Sequence, residues 1–380
     1  MWYGDIVKPS ILHIYKDYFP PVVGGIEKHI HDLAQATKDT YDITVLVANT
    51  RAKTEEEDAD GIRVIKAACL GRVAAAPLCP TFPALLRRHA ADIMHFHCPN
   101  PTGDLSWLLS RPPGRVAVTY HSDVIRQAWA MFFYGPFLRR FLSRADVIMP
   151  TSPNYVESSP WLSRVKNLCI PVPLGIDTAH FEKTPELEVR AADLRRISGE
   201  RPIILFVGRL RYYKGLRYLV QAMPRLDAQL VIIGSGPEEK IVRDMAARFH
   251  VGDKISIVGS VSDADLAAWY HAADIFCLPS HLRSEAFGLV QIEAMASGLP
   301  VVSCDLKTGV PYVNQHEKTG LIVPPACPGR LAEALERLLK DDDLRRRLGE
   351  NAHRRAREEF DRSLMLKRIR EIYTRLLSQN

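Results

Sequence analysis

The chain has no cysteine pair spaced C-x-x-C. Its seven cysteines, at 69, 79, 98, 169, 277, 304 and 327, are scattered and odd in number. That argues against a disulfide framework or a zinc site, and it points to a reducing cytosol. No stretch approaches the roughly eighteen uninterrupted apolar residues a membrane span needs. The opening Met1–Ser10 lacks a long apolar run, so no secretory leader is expected. Charge of one sign is not concentrated in a tail: 50 Lys and Arg against 44 Asp and Glu leave a net +6. A basic stripe and a nucleic-acid-binding motif are both missing. The small surplus suits an enzyme of anionic substrates, or one that visits an anionic membrane surface.

What is present is an ordinary globular composition, 47% hydrophobic and 25% charged over 380 residues, enough for two cores. Short apolar runs at Ile11–Tyr15, Ile43–Ala48, Ile62–Ile65, Ile93–His97, Val116–Tyr120 and Val147–Pro150 read as strands. Helical patterns such as Glu27–Thr37 and Ala128–Ser143 lie between them. This is the rhythm of a doubly wound α/β domain. The stiff segment Ile170–Asp177 and the polar stretch Phe181–Glu200 read as linker and boundary. The rhythm then restarts. Strands are expected at Ile203–Val207, Gln229–Ile233, Ile255–Val258, Ile275–Leu278 and Val301–Ser303, and helices at Gly215–Met223, Pro237–Phe249, Asp263–Ala272 and Leu289–Ser297. The tail from Leu331 is helical and charged, with an apolar stripe from Leu364 to Leu377 that reads as a surface-packed terminal helix. The acidic run Glu55–Asp60 reads as a solvated loop.

The second half carries the chemistry. A buried strand runs into Gly208-Arg209, with Lys214-Gly215 before a helix. Open α/β sheets bind ligands at the carboxyl ends of their strands. There arginine offers a fork for phosphate oxygens and lysine a mobile charge, although a Gly-Arg after a strand is as often structural. Gly234-Ser235-Gly236-Pro237 ends another strand. It is no dinucleotide fingerprint, and alone it reads better as a turn without ligand. The fullest constellation is Ser284–Pro300, where Glu285 and Glu293 stand seven residues apart around Phe287-Gly288-Leu289. Amides at the helix start there can hold a phosphate, and each carboxylate can accept from sugar hydroxyls.

The run Glu285–Val302 resembles the E-x7-E signature of glycosyltransferase family 4, the retaining GT-B enzymes. Gly208-Arg209 with Lys214-Gly215, Gly234–Pro237, Gly320–Pro324, the loop Phe19–His29 and His121 after its strand match the same pattern, so the resemblance covers essentially the whole chain. It implies two Rossmann-like doubly wound domains facing across a cleft: residues 1–178 for the acceptor, 179–361 for the donor, and a C-terminal helix, 362–380, crossing back to the first. By the same resemblance Arg209 and Lys214 hold the diphosphate. Glu293 takes the ribose, Glu285 with the Phe287, Gly288 and Leu289 backbone takes the sugar, Gly24 and Gly25 close over the phosphates, and His121 serves the donor site.

The implied reaction moves a hexose, GDP-mannose being the first choice of donor, to a glycan or lipid-linked glycan with retention of configuration. The segment Val301–Asn314 resembles a subset tied to mannosyl or rhamnosyl transfer, and a UDP-sugar is the alternative. Base choice rests on the loop near Gly259–Ser262. No cofactor and no metal are expected, because no D-x-D motif is read for the diphosphate and two cations with a helix start can replace an ion. Arg209→Ala and Lys214→Ala are each expected to lower turnover far more than stability. A phosphorylase or epimerase of this fold, or a silent sugar-nucleotide or glycan binder, would lack the combination of Arg209, Lys214, Glu285 and Glu293.

Other signals stay open. His95 and His97 share a strand face, as a metal pair or, better, as packing and cleft lining. His29 and His31 point apart on one helix. Asp123 either orients His121 or meets the acceptor. Met131–Arg144 mixes aromatics with three arginines. That suits an interfacial membrane helix, and equally a helix packed on the first sheet with a basic edge. The expected location is therefore cytoplasmic, at the inner face of the plasma membrane, with peripheral contact.

Overall fold

The computed structural model describes residues 8–20, 22, 24–125, 128–199 and 201–379. By contacts the chain divides into two units. The first takes the described residues up to Thr151, Val156–Val172 and those from Leu366 onward; the second takes Ser152–Tyr155 and Pro173–Met365.

The first unit is built on a seven-stranded sheet: β1 (Ser10–Ile14), β2 (Asp42–Ala48), β3 (Glu55–Ala59), β4 (Ile62–Ala67), β5 (Ile93–Cys98), β6 (Arg115–Tyr120) and β7 (Val147–Pro150), in the order β3-β4-β2-β1-β5-β6-β7. All neighbours run parallel except β3 against β4. Strands β5, β6 and β7 are buried along nearly their whole lengths, as expected of a parallel sheet covered on both faces.

The second unit holds β8 (Ile203–Val207), β9 (Gln229–Ile233), β10 (Ile255–Gly259), β11 (Ile275–Leu278), β12 (Val301–Cys304) and β13 (Gly320–Val323), in the order β10-β9-β8-β11-β12-β13, all parallel. The chain steps outward from β8 to β10 and returns on the other side of β8 at β11. The strand order therefore reverses between β8 and β11, the place where open sheets leave a crevice at their carboxyl ends. Beneath it Ile203, Ile204, Leu205, Phe206, Leu230 and Phe276 are fully buried, each contributing about 1.5–3 kcal/mol of apolar burial.

Two expectations are corrected, and a third, the helical tail, is resolved into separate helices. The acidic run is not a loop but the edge strand β3. It has no core face to fill, and its charges are matched across the ladder by Arg63–Glu56 at 2.7 Å and Lys66–Glu57 at 2.6 Å. The polar stretch after Phe181 contains a helix, Pro185–Ser198, capped by Thr184, whose hydroxyl accepts from the Leu187 N–H at 3.3 Å. Only Ala191 of that helix is buried, so apolar periodicity could not announce it. The charged tail is three helices, Pro328–Lys340, Asp342–Glu359 and Arg362–Leu377. The last buries Met365, Ile369, Ile372, Tyr373 and Leu376. Among the described residues no helix is long and apolar enough to cross a membrane.

Candidate active site

In the second unit the loops after β8, β9 and β11 are joined by main chain. Gly208 N–H bonds the Ile233 carbonyl at 2.9 Å, Leu210 N–H the Ser235 carbonyl at 2.9 Å, and His281 N–H the Tyr213 carbonyl at 3.0 Å. This explains Gly234 and Gly215. Both have positive φ, +128° and +72°, and a Cβ would overlap the Gly208 carbonyl oxygen at Gly234 and the Pro279 carbonyl oxygen at Gly215. Close backbone approach therefore accounts for Gly234 without any ligand. We expect Gly234→Ala to cost about 2–4 kcal/mol in chemical denaturation, whereas Gly329→Ala, in open space on a helix, should be neutral or stabilise slightly. An unchanged denaturation midpoint for Gly234→Ala would overturn this account.

Upon that base stand Lys214 and Glu285. Lys214 lies in the 3-10 turn Tyr212–Lys214 after β8, and Glu285 in the loop after β11. Both are buried, and Lys214 Nζ meets Glu285 Oε2 at 2.6 Å. Ser280 donates to the same oxygen at 2.9 Å. Burial alone would push the Lys214 ammonium down, but the Glu285 carboxylate overrides it and holds the ammonium above the usual lysine value. Gly208 lies alongside: a Cβ there would come within 3.5 Å of Lys214 Nζ. Arg209 is exposed on the same loop. Its charge reaches Tyr213, whose hydroxyl is raised by burial and also feels Lys214, Glu285 and Arg211.

Gly288 caps the helix Leu289–Ala296 in the left-handed conformation, φ +77°. A Cβ there would sit 2.8 Å from Gln291 Nε2 and 2.9 Å from Leu278. Of its first-turn amides, that of Gln291 bonds the Gly288 carbonyl at 2.9 Å, while those of Leu289 and Val290 have no partner within the helix by construction. Phe287 is buried against Phe360, so its backbone rather than its ring is what it offers. Glu293, half-buried one turn into the helix, accepts from Tyr270 Oη at 2.7 Å.

The first unit holds the other residues. Gly24 is the extended N-cap of helix Gly25–Thr37, with the Glu27 carboxylate lying over it. A Cβ at Gly25 meets nothing among the described residues. Pro21 and Val23 of the same loop lie outside those residues. His121, at the end of β6, belongs to a buried row that the sequence only partly exposed. His13 Nδ1 faces His97 Nε2 at 3.1 Å, and His97 Nδ1 faces His121 Nε2 at 3.2 Å. His29 packs edge-on against His97 and His121. His95 is engaged by Tyr373 Oη at 2.6 Å and Thr119 Oγ1 at 2.8 Å.

Burial lowers His13 to about 3 and His29 to about 4, and takes His95, His97 and His121 well below the usual value. Each neutral ring has one N–H. Whichever way the protons point along the row, one of His13 Nε2 and His121 Nδ1 is an N–H and the other a lone pair, and neither has a hydrogen-bond partner among the described residues. His121 Nδ1 is thus a buried polar atom with its hydrogen-bonding capacity unused among the described residues. Ring nitrogens of His13, His95 and His97, and again of His29, His97 and His121, converge within 4.8 Å. Neutral imidazoles are competent metal ligands, but His95 and His97 already spend both nitrogens on neighbours. His13 was missed because register, not spacing, places it: on β1 it pairs with His95 on β5.

Two readings need correction. Among the described residues Asp123 is not a partner of His121 Nδ1; its carboxylate accepts from Tyr120 Oη at 2.9 Å and Ser159 Oγ at 2.7 Å. D-x-D triplets do occur, at Asp58–Asp60, Asp263–Asp265 and Asp341–Asp343. Asp58 accepts from Gly61 N–H, Asp265 pairs with Arg190 and Ser262, and Asp341 caps a helix.

A parallel α/β unit that gathers two cationic side chains, a carboxylate and an open helix start at its switch point belongs to the class that handles phosphorylated ligands on glycine-rich loops. Comparison with known proteins specifies it. Residues 24–175 match the family described as "Glycosyl transferase 4-like domain", and residues 193–355 match "Glycosyl transferases group 1". The chain is 34% identical to O-antigen chain mannosyltransferase C of Escherichia coli, over 97% of this chain and 98% of that one. It is 33% identical to D-rhamnosyltransferase WbpZ of Pseudomonas aeruginosa, over 92% of each. Sucrose-phosphate synthase from Thermosynechococcus elongatus superposes with a TM-score of 0.81 at 23% identity, covering 98% of this chain and 100% of that one, which shows the fold to be GT-B. The chain belongs to the group 1, family 4-like glycosyltransferases, and it is a glycosyltransferase enzyme.

Proposed function

We propose that this enzyme transfers mannose, with retention of configuration and without a metal ion, from GDP-mannose to a glycan or lipid-linked glycan. The observation that carries the reading is the Lys214–Glu285 pair at 2.6 Å beside the Gly288 helix start. It sets an ammonium where a leaving diphosphate needs positive charge and a carboxylate where sugar hydroxyls need an acceptor. Arg209 adds a second cation and the first-turn amides add dipoles, so departing charge is met by groups already in place. Glu293 takes ribose hydroxyls, with Tyr270 fixing its carboxylate. In a same-face route the leaving phosphate accepts the acceptor's proton, and no enzymic base is required. Mannose is favoured by the name of O-antigen chain mannosyltransferase C, which aligns along 97% of this chain.

A thermal-shift panel with GDP, UDP, ADP and their sugar conjugates tests the donor. GDP and GDP-mannose should raise Tm, about 2.7 kcal/mol of stabilisation accruing at a hundredfold excess over Kd. A shift from UDP-glucose alone would transfer the assignment to a UDP-sugar, and no shift from any nucleotide would remove it.

A further inference from the structure

Helix Ala128–Leu142 has two unlike faces. Inward, Tyr134, Leu138, Phe141 and Leu142 are buried, and Tyr134 Oη donates to the buried Asp104 carboxylate of helix Pro101–Ser110. Outward, Trp129, Phe132, Phe133 and Phe137 are 65%, 81%, 68% and 48% exposed. At about 100° per residue these four and Arg140 fall within an arc of about 140°. Leu109, 76% exposed, and Arg111 end the neighbouring helix.

The positive charge here is crowded. Arg144 is pushed below the usual arginine value, first by the charge of Arg111 and also by Arg140. Among the described residues, Arg111, Arg140 and Arg144 are not seen in an ion pair with any acid. Four large exposed rings in a row are costly in water and mark a contact surface. Three crowded guanidiniums beside them select the chemistry of the contact, because they would repel one another on any surface that did not supply anions. A sheet of lipid phosphates meets both needs: rings settle at the boundary between headgroups and acyl chains, while guanidiniums take bidentate bonds to phosphate. The buried Tyr134–Asp104 contact holds the inner face, so the rings are presented without local unfolding.

We propose that the outer face of helix Ala128–Leu142, with Leu109 and Arg111 beside it, docks flat on an anionic phospholipid bilayer. The docking does not depend on which sugar or nucleotide the enzyme takes.

The test is co-sedimentation of the full chain with phosphatidylcholine vesicles, with and without phosphatidylglycerol. Wild type should bind the anionic vesicles and be released by salt. Phe132→Ser with Phe133→Ser should lower the partition coefficient at least about tenfold. Arg140→Gln with Arg144→Gln should lower it by on the order of 25-fold, about fivefold for each charge removed. Anionic vesicles should shift tryptophan emission to the blue in wild type and not in Trp129→Phe. The melting shift with GDP should be the same in all variants, since none of these residues lies among those assigned to the nucleotide. Wild type left in the supernatant with anionic vesicles would overturn the proposal, as would equal binding by the variants. So would self-association abolished by the serine variant while vesicle binding persists.

Discussion

Lys214→Met is expected to lower kcat/KM by about 10²–10³-fold, and also to lower the melting temperature. The sequence alone suggests, for Lys214→Ala, a loss of turnover far larger than the loss of stability, but the buried pair makes the stability loss substantial. Removing the ammonium leaves the Glu285 carboxylate, itself buried, without its cation at 2.6 Å, a defect worth about 3 kcal/mol. Ser280 still donates to Glu285 and cannot supply the missing charge. Lys214→Met with Glu285→Gln removes both charges, so it should regain most of the lost stability and none of the activity. Arg209→Ala is the contrast. Its side chain is exposed, so stability should stay within about 0.5 kcal/mol while affinity for the nucleotide falls. Kinetics and melting curves on the four proteins decide the matter. A single Lys214→Met with wild-type kcat/KM, or a double variant no more stable than the single, would sink it.

Stability should collapse on mild acidification, and the imidazole row is the reason. In the unfolded chain each histidine titrates near its ordinary value of about 6.5. In the folded chain His29 is held to about 4 and His13 to about 3. Above pH 6.5 both states are neutral and the stability is fully present. As pH falls below that, the unfolded chain binds protons that the folded one refuses, and each residue removes about 1.4 kcal/mol per pH unit. By pH 5 His13 and His29 together remove about 4 kcal/mol. His95, His97 and His121, lowered further still, act in the same direction.

Asp104 works against them. Burial raises it to about 7, so its contribution grows as pH falls from there, but it is one group against five. Melting temperature measured from pH 8 to pH 5 should fall steeply below 6.5, and His29→Gln should flatten the slope. A level profile over that range would refute the account.

How much of this was legible beforehand follows from what each feature is made of. The inner strands of both sheets are continuous apolar runs, and runs such as Ile203–Val207 and Ile275–Leu278 can be read directly. The E-x7-E element could be read because its neighbours fill out the family pattern. β3 could not, because an edge strand stabilised by cross-strand charge looks in sequence like solvated acid. Pro185–Ser198 could not by periodicity, although Thr184, Pro185, Glu186 and the closing Arg195 and Arg196 spell a helix start and finish. The histidine row depends on strands brought into register from positions 13, 97 and 121. Buried pairing at Lys214 is likewise invisible, since a lysine in a loop is ordinarily assumed to be wet.

The glycine contacts beneath Lys214 and Glu285 bear on how such an enzyme diversifies. Where peptide planes at Gly208, Gly215, Gly234 and Pro279 touch directly, no spare ångström remains for an inserted residue or an added methyl group. Lineages that change their preferred sugar must therefore leave this platform alone and vary side chains around the buried Lys214–Glu285 pair, so recruitment of a new donor becomes a matter of a few side-chain positions rather than of loop remodelling.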